Sequence, residues 1–294
     1  MGRGRGDDRR GHRQDDREDR DRIVSAFSAD WLERREPHDR RARNPEVLDA
    51  VRERFAGEAS LSVVDLACGT GATLRALGET LPRHQHWMLV DNDLGLLARA
   101  KTAAEAAAVT GTRATVAAVD LARDLEAALD GPVNLVVTSA FLDLVSEEWL
   151  ERLVTEIAAR HLHLYAALSY DGRVAFEPAD DADVTIVSAF NRHQTTDKGF
   201  GPALGPTAAA RAVQMFERLG YEVTVGPSDW RVEAGDPLQK DLVASLAGAA
   251  RELVGVPQTT IDGWATRRSI MIAASRSTLQ VGHLDFFACP TTRR

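Results

Sequence analysis

The segment Asp65-Leu66-Ala67-Cys68-Gly69-Thr70-Gly71 constrains the fold most, because it lies between two patterns of different period. Before it, Leu61-Ser62-Val63-Val64 is a short β-branched run; after it, Leu74 and Leu77 continue at helical spacing. A strand that turns through glycines into a helix brings backbone N–H groups up to a ligand, and the helix start leaves such groups unpaired. The alternation then repeats. Strands are expected at Trp87–Val90, Ala114–Val119 and Val133–Thr138, with helices from Leu94 to about Ala107, over Leu121–Leu129 and over Glu147–Ala159. Repeated βα units predict an open, mostly parallel, Rossmann-like α/β sheet with helices on both faces. Seven strands are expected, with His163–Ser169 the fifth, Tyr221–Val225 the sixth and Ser269–Ala274 the seventh. Arg173–Glu177 reads as an extension or hairpin of the fifth strand, and Leu279–Phe287 as one extra strand of unassigned position.

Asp91 ends the second strand, 20 residues after Gly71, the separation at which a carboxylate accepts from a ribose diol. A nucleoside is therefore the expected ligand. A dinucleotide turn would carry a third glycine where Leu74 stands, which argues against a pyrophosphate seated there. A dinucleotide oxidoreductase and a noncatalytic nucleoside-binding module remain as alternatives from other classes.

The same residues resemble the class I S-adenosylmethionine-dependent methyltransferases. Asp65 to Gly71 is similar to that family's first motif, with Ala67 where glycine is frequent; Val90-Asp91-Asn92-Asp93 resembles the second, and Val119-Asp120-Leu121 the third. The resemblance covers Leu61 to Ser169 by motif and the remainder by element order. It implies S-adenosylmethionine as cofactor and a seven-stranded sheet whose last strand is antiparallel. It further implies that Asp91 holds the ribose hydroxyls, that Asn92 and Leu121 flank the adenine, and that Asp120 accepts from the adenine amino group. The turn from Gly69 through Thr70 to Gly71, with Asp65 below it, would then lie against the methionine moiety, and Ser139 after the fourth strand joins the cofactor side.

Two bland readings compete at individual positions: Asp93 and Asp120 are each suited to capping the helix that follows. Before the first strand, Asn44-Pro45-Glu46 supplies a cap, a preorganised first residue and an acid for a helix over about Pro45–Phe55. Trp31, Arg34, Arg35, Arg41 and Arg43 precede it in a segment expected to form a helical cap over the cofactor. Arg43 is the preferred clamp for a methionine carboxylate, and most arginines of this charged stretch are expected to face solvent.

On the acceptor side, Asp143 follows the fourth strand as a candidate base, with a contact to the helix near Glu147 as its competing reading. Tyr170 ends the fifth strand and could orient an acceptor through its hydroxyl. Pro178–Gly220 reads as the longest irregular excursion, and Asn191–Gly201 within it as a glycine-rich acceptor loop. His193 in that loop is the general base suggested by residue type, since imidazole titrates near neutrality. Asp197 and Lys198 are expected to pair at the surface. Ser228–Gly263 is a second excursion with a helix over Leu238–Leu253. The acids Glu177, Asp180, Asp181 and Asp183 read as a solvated turn, so no metal is expected.

Composition sets the remaining boundaries. Met1–Arg22 has no apolar residue after Met1 and carries eight Arg against seven acids, the pattern of a disordered tail, leaving 23–294 as a single domain. Its cofactor half is placed at about 56–160, with acceptor-side and scaffold elements at about 161–294. The whole chain carries −8, and removing the tail leaves about −9, which disfavours nucleic acid as partner. The absent Asn/Asp-Pro-Pro-aromatic motif after the fourth strand points the same way, so the expected substrate is a small polar metabolite with an oxygen or nitrogen acceptor. No apolar run spans a bilayer and no secretory leader is visible, so the expected setting is cytoplasmic with Cys68 and Cys289 reduced. Oligomeric state is left open.

Overall fold

A computed structural model describes residues 28–106 and 112–291. The expected tail at Met1–Arg22 lies outside the described residues. The described chain opens with two helices, α1 (Ala29–Ala42) and α2 (Pro45–Phe55). As the sequence predicts, Asn44 caps α2, its Oδ1 accepting from Val47 N at 3.1 Å. The βα series follows as β1 (Leu61–Leu66), α3 (Ala72–Leu77), β2 (Gln85–Asp91), α4 (Leu94–Ala106), β3 (Thr112–Ala118), α5 (Leu125–Ala128), β4 (Leu135–Ser139), α6 (Glu147–Ala159) and β5 (His163–Glu177). Asp93 caps α4 through bonds from Gly95 N and Leu96 N at 2.7 and 3.0 Å. The helix expected over Leu121–Leu129 shrinks to one turn at α5, because Asp120 turns the chain first by accepting from Ala122 N.

The second half departs further from expectation. It runs α7 (Asp183–His193), α8 (Ala208–Arg218), β6 (Tyr221–Pro227), β7 (Trp230–Val232), α9 (Leu238–Glu252), α10 (Gln258–Ala273) and β8 (Thr278–Pro290). The stretch expected to be irregular therefore holds two helices. The β-branched run Val184 to Val187 hides α7, which buries Ile186 and Ala189. Ser269–Ala274, expected as a strand, belongs to α10. That helix buries Ile261, Trp264, Arg268 and Ile272, a helical stripe masked by its arginine. Arg268 can sit there because Asp183 pairs with it and the Pro178 carbonyl accepts from it at 2.8 Å. The seventh position is filled instead by β8, which contains the Leu279–Phe287 segment.

The eight-stranded sheet has the order β3-β2-β1-β4-β5-β8-β6, with β7 paired to β8. The first five strands are parallel, and β8 is antiparallel to β5, β6 and β7. The order reverses between β1 and β4, which makes a crevice at their carboxyl ends. One core packs on each face: Leu61, Val63, Trp87 and Leu89 contribute to one, and Val64, Leu66, Val90 and Val136 to the other. The extension of β5 past Tyr170 pairs with Thr278–Val281 of β8, and β7 joins it, so a small antiparallel layer rises beyond that crevice.

One buried carboxylate ties this layer to the sheet. Asp285 is fully buried and accepts from Asn44 N at 3.0 Å, Leu168 N at 2.8 Å and the Tyr165 hydroxyl at 3.2 Å. Asp285→Ala would leave three buried donors unpaired, so equilibrium unfolding in urea should show a loss on the order of 3 to 5 kcal/mol.

Candidate active site

β1 and β4 are each followed by a left-handed residue that is not glycine, Ala67 at φ 54° and Ala140 at φ 51°, and β5 holds a third, Leu168 at φ 54°, where its pairing with β8 shifts register. Such conformations cost energy and collect where a site needs a sharp change of direction. After Ala67 the chain passes through Gly69 and Gly71, both at positive φ. A Cβ on Gly69 would come within 3.1 Å of Leu32 Cδ1, so glycine also lets α1 close over the turn. The cover is fastened by charge: Arg75 of α3 donates to both oxygens of Glu36 on α1 at 2.7 and 2.5 Å, and to the Thr70 carbonyl at 2.6 Å.

Beneath the turn lies Asp65, fully buried, with neither carboxylate oxygen partnered among the described residues. Burial pushes its pKa up to about 8; Arg43 and Arg75 lower it and Asp91 raises it further. Asp91 is held in place by Gly69 N at 2.9 Å and Asp93 N at 3.0 Å, one bond to each oxygen. Burial raises its pKa, and N–H bonds from Asp93, Gly69 and Asn92 oppose the shift. A carboxylate offers about four acceptor positions, so lone pairs remain on both oxygens. Asn92 is exposed beside it.

Arg43, at the junction of α1 and α2, is buried. It donates to the Tyr165 hydroxyl at 3.1 Å and Ser139 Oγ at 3.4 Å, while its Nε has no partner among the described residues. Asp120 accepts from Ala122 N at 3.1 Å, a turn contact ahead of α5 rather than the cap of a helix starting at Leu121. The Leu121 side chain is buried in the second core, and its carbonyl accepts from Trp149 Nε1 at 2.6 Å. The crevice thus brings together Arg43, Asp65, Gly69, Thr70, Gly71, Asp91 and Ser139, with Asn92 and Asp120 at its β2 and β3 side.

On the acceptor side, Asp143 lies in a short 3-10 turn, Leu142–Leu144, and is buried. It does not contact the helix near Glu147; Ser146 caps α6 instead, its Oγ accepting from Trp149 N at 3.2 Å. Asp143 Oδ1 has no partner among the described residues. Burial pushes its pKa up to about 6, opposed by its own backbone N–H, the charge of Arg35, the Tyr170 N–H and the charge of Lys198. Tyr170 donates to Asn191 Oδ1 at 2.7 Å, and burial raises its pKa.

His193 is placed differently from expectation. It ends α7 rather than lying in a loop, and its Nε2 sits 2.9 Å from Glu252 Oε2. Lys198 approaches its Nδ1 at 3.4 Å and does not pair with Asp197, which accepts from Gly199 N and Gly201 N. The glycine-rich segment is pinned: Phe200 packs edge-on against Phe141 and Trp149, and Leu204 N donates to the Val145 carbonyl at 2.8 Å. Asp180 and Asp183 are engaged by Arg267 and Arg268, and no cluster suited to a metal occurs among the described residues.

Three residues beside this group escape a sequence reading. Arg35, in a stretch whose arginines are mostly expected in solvent, is buried, pairs with Asp39 at 2.9 Å and stacks on Trp230 at 5.2 Å. Tyr165 and His283 lie inside strands of apolar pattern, where nothing in the sequence marks them. His283 is buried with Nδ1 unpartnered, and burial pushes its pKa down to about 3.

Comparison with known proteins agrees with this geometry. Residues 63–163 match the family described as a methyltransferase domain. No curated protein matches the sequence. Among solved structures, a cyclopropane-fatty-acyl-phospholipid synthase-like protein from Lactobacillus casei is similar at 16% identity and TM-score 0.51, over 91% of this chain and 98% of that one. Looser similarities include the YcgJ protein from Bacillus subtilis, at 12% identity and TM-score 0.46 over 85% and 100%. A methyltransferase from Geobacter sulfurreducens in complex with S-adenosylhomocysteine is similar at 16% identity and TM-score 0.42, over 85% and 92%. No helix among the described residues is long and apolar enough to cross a membrane. Residues 63–163, which match a methyltransferase domain, thus bring their glycine turn and acidic strand ends to the switch point of a Rossmann-like sheet.

Proposed function

We propose that the protein transfers a methyl group from S-adenosylmethionine to a small polar metabolite through an oxygen or nitrogen acceptor, and that 23–294 works as one catalytic domain. The carrying observation is Asp65: a fully buried carboxylate with two unpartnered oxygens, under a glycine turn at the switch point. Such a group is costly unless a ligand completes it. The residues present fit the cofactor. Asp91 retains lone pairs for two ribose hydroxyls, Arg43 Nε is free for a carboxylate, and Asp65 suits an ammonium. Asn92, Asp120 and Leu121 take the adenine end, and Thr70 and Ser139 the methionine end.

When bound, the donor supplies an electrophilic methyl group on its sulfonium. The chain's task is to hold the acceptor in line and to receive a proton. Asp143 is the proposed proton acceptor, since it is buried beyond the end of β4 with Oδ1 free and its pKa up to about 6, closer to neutrality than an ordinary carboxylate. Tyr170 is proposed to help orient the acceptor, its hydroxyl held by Asn191. His193, paired with Glu252, is assigned no proton transfer.

Calorimetry with S-adenosylhomocysteine tests the reading, and absence of binding sinks it. Asp91→Ala should weaken that binding by on the order of 1.5 to 3 kcal/mol while the protein stays folded. Asp65 gives an independent signature. With a folded-state pKa of about 8 it is mostly protonated at pH 7, and an ammonium beside it favours the carboxylate, so binding should release a proton. Binding enthalpies compared across buffers of different ionisation enthalpy should reveal that release, and Asp65→Asn should abolish it. In the free protein the raised pKa means that folding takes up a proton, so this residue's effect lowers stability as pH rises from about 4 to about 8. Thermal midpoints of the wild type should fall across that window more steeply than those of Asp65→Asn.

A further inference from the structure

Three arginines among the described residues are buried, and two of them sit on a carboxylate: Arg35 pairs with Asp39 at 2.9 Å and Arg268 with Asp183. Arg43, the third, has no carboxylate within 4.0 Å among the described residues. Its side-chain partners are neutral hydroxyls, Tyr165 on Nη1 at 3.1 Å and Ser139 on Nη2 at 3.4 Å. A guanidinium held away from water by hydroxyls alone keeps much of its desolvation cost. The opposite charge is at hand but separate, since Asp65 is fully buried with both oxygens unpartnered. Strand register places the two. Asp65 on β1 is opposite Val137 on β4, and Val137 is opposite Tyr165 on β5, so these three side chains share one face of the sheet. Ser139, two residues after Val137, stands on the same face. The carboxyl end of β4 thus lies between an unpaired anion and an unpaired cation.

Arginine can only donate, so the Tyr165 hydroxyl accepts from Nη1 and gives its own proton to Asp285 Oδ2 at 3.2 Å. Asp285 is fixed in turn by Asn44 N at 3.0 Å and Leu168 N at 2.8 Å. With its proton committed, the hydroxyl presents its lone pairs in a set direction and holds Nη1 against them. The other edge of the guanidinium carries Nε–H and one Nη2–H, parallel and spaced for the two oxygens of a carboxylate. On that edge Nε has no partner among the described residues, and Nη2 has only the long Ser139 contact. Resting on the methyl-transfer reading above, we propose that Tyr165 is a positioning residue that turns the open edge of Arg43 to the α-carboxylate of the cofactor's methionine head, so that the site selects nucleosides carrying a free amino-acid carboxylate. Asp65 takes the ammonium of the same head, and one zwitterion supplies both missing counter-ions. Tyr165 has no part in holding the nucleoside itself, because Asp91 ends β2 and both β1 and β4 stand between β2 and β5.

Calorimetry on the full chain with three nucleosides tests this: S-adenosylhomocysteine, its decarboxylated analogue S-adenosyl-3-thiopropylamine, and 5′-methylthioadenosine, which lacks the amino-acid head. The wild type should bind the decarboxylated analogue about 10- to 100-fold more weakly than the parent, through loss of a charge-assisted contact. Tyr165→Phe keeps the ring and removes only the hydroxyl. It should weaken S-adenosylhomocysteine by about 10-fold and move the other two by less than about 2-fold. Equal weakening of all three would make Tyr165 a packing residue, and unchanged affinity for the parent would leave Arg43 independent of it; either result overturns the assignment. Arg43→Lys keeps a cation but loses the planar fork, and should show the same split between ligands. On that background Tyr165→Phe should add less than about 2-fold, because the two residues act through one contact. Equal affinity of the wild type for the parent and the decarboxylated analogue overturns the proposal without any variant. Binding of none of the three sinks the methyl-transfer reading and this assignment with it.

Discussion

The chain from Arg43 through Tyr165 to Asp285 is the contact on which both halves of the crevice depend. Asp285 comes from the last strand and Tyr165 from the fifth, while Arg43 and Asn44 come from the hinge between the two N-terminal helices. None of these groups is exposed enough for water to replace a partner. A buried carboxylate is tolerable only when donors surround it, and here β5 contributes two and the junction of α1 and α2 one. The same bonds that offset its burial therefore fix where α1 and α2 begin and end. They also aim Arg43 at Ser139, which sets the wall of the crevice beside Asp65.

That dependence explains why α1 can serve as a cover without being part of the sheet. Its lower end is anchored at Asn44, and its middle is held by the Glu36 pair with Arg75 and by Leu32 against the Gly69 position. Its inner face also carries Arg35, whose partner Asp39 accepts from Trp230 Nε1 at 3.0 Å. One helix thus touches the glycine turn on one side and the antiparallel layer on the other. Both sides of the crevice are shaped by a common element, so a shift of α1 would alter both.

The glycine-turn half was legible in the sequence for a physical reason: its motif residues are needed by the backbone itself. Gly69 and Gly71 adopt positive φ, Asp93 caps a helix, and Asp91 binds two turn N–H groups, so local geometry alone selects these residue types. The acceptor half gave no such signal. Arg35 and Arg268 are buried because distant carboxylates pair with them, and His283 is buried because two strands far apart in sequence meet. Arginine at a core position also broke the apolar stripe of α10 and left Ser269–Ala274 reading as a strand. His193 was singled out by residue type, which predicts titration but not location; a carboxylate two helices away claims it.

The acids of the crevice show how far the site's needs oppose those of the fold. Asp65 and Asp143 are both buried, both leave oxygens unpartnered, and both have pKa values raised by desolvation. Each holds a proton in the folded chain more tightly than it would unfolded, so each weakens the fold as pH approaches neutrality. A structure optimised for stability alone would fill these positions with apolar side chains of similar volume. Their retention is understandable if binding supplies the missing partners, because a ligand that completes them recovers the cost of their burial. The left-handed Ala67, Ala140 and Leu168 stand at the same edge and carry backbone strain in the same direction. Stability lost at the carboxyl edge must then be offset elsewhere. The two packed cores on either side of the sheet and the Asp285 network are the places where the structure can offset it.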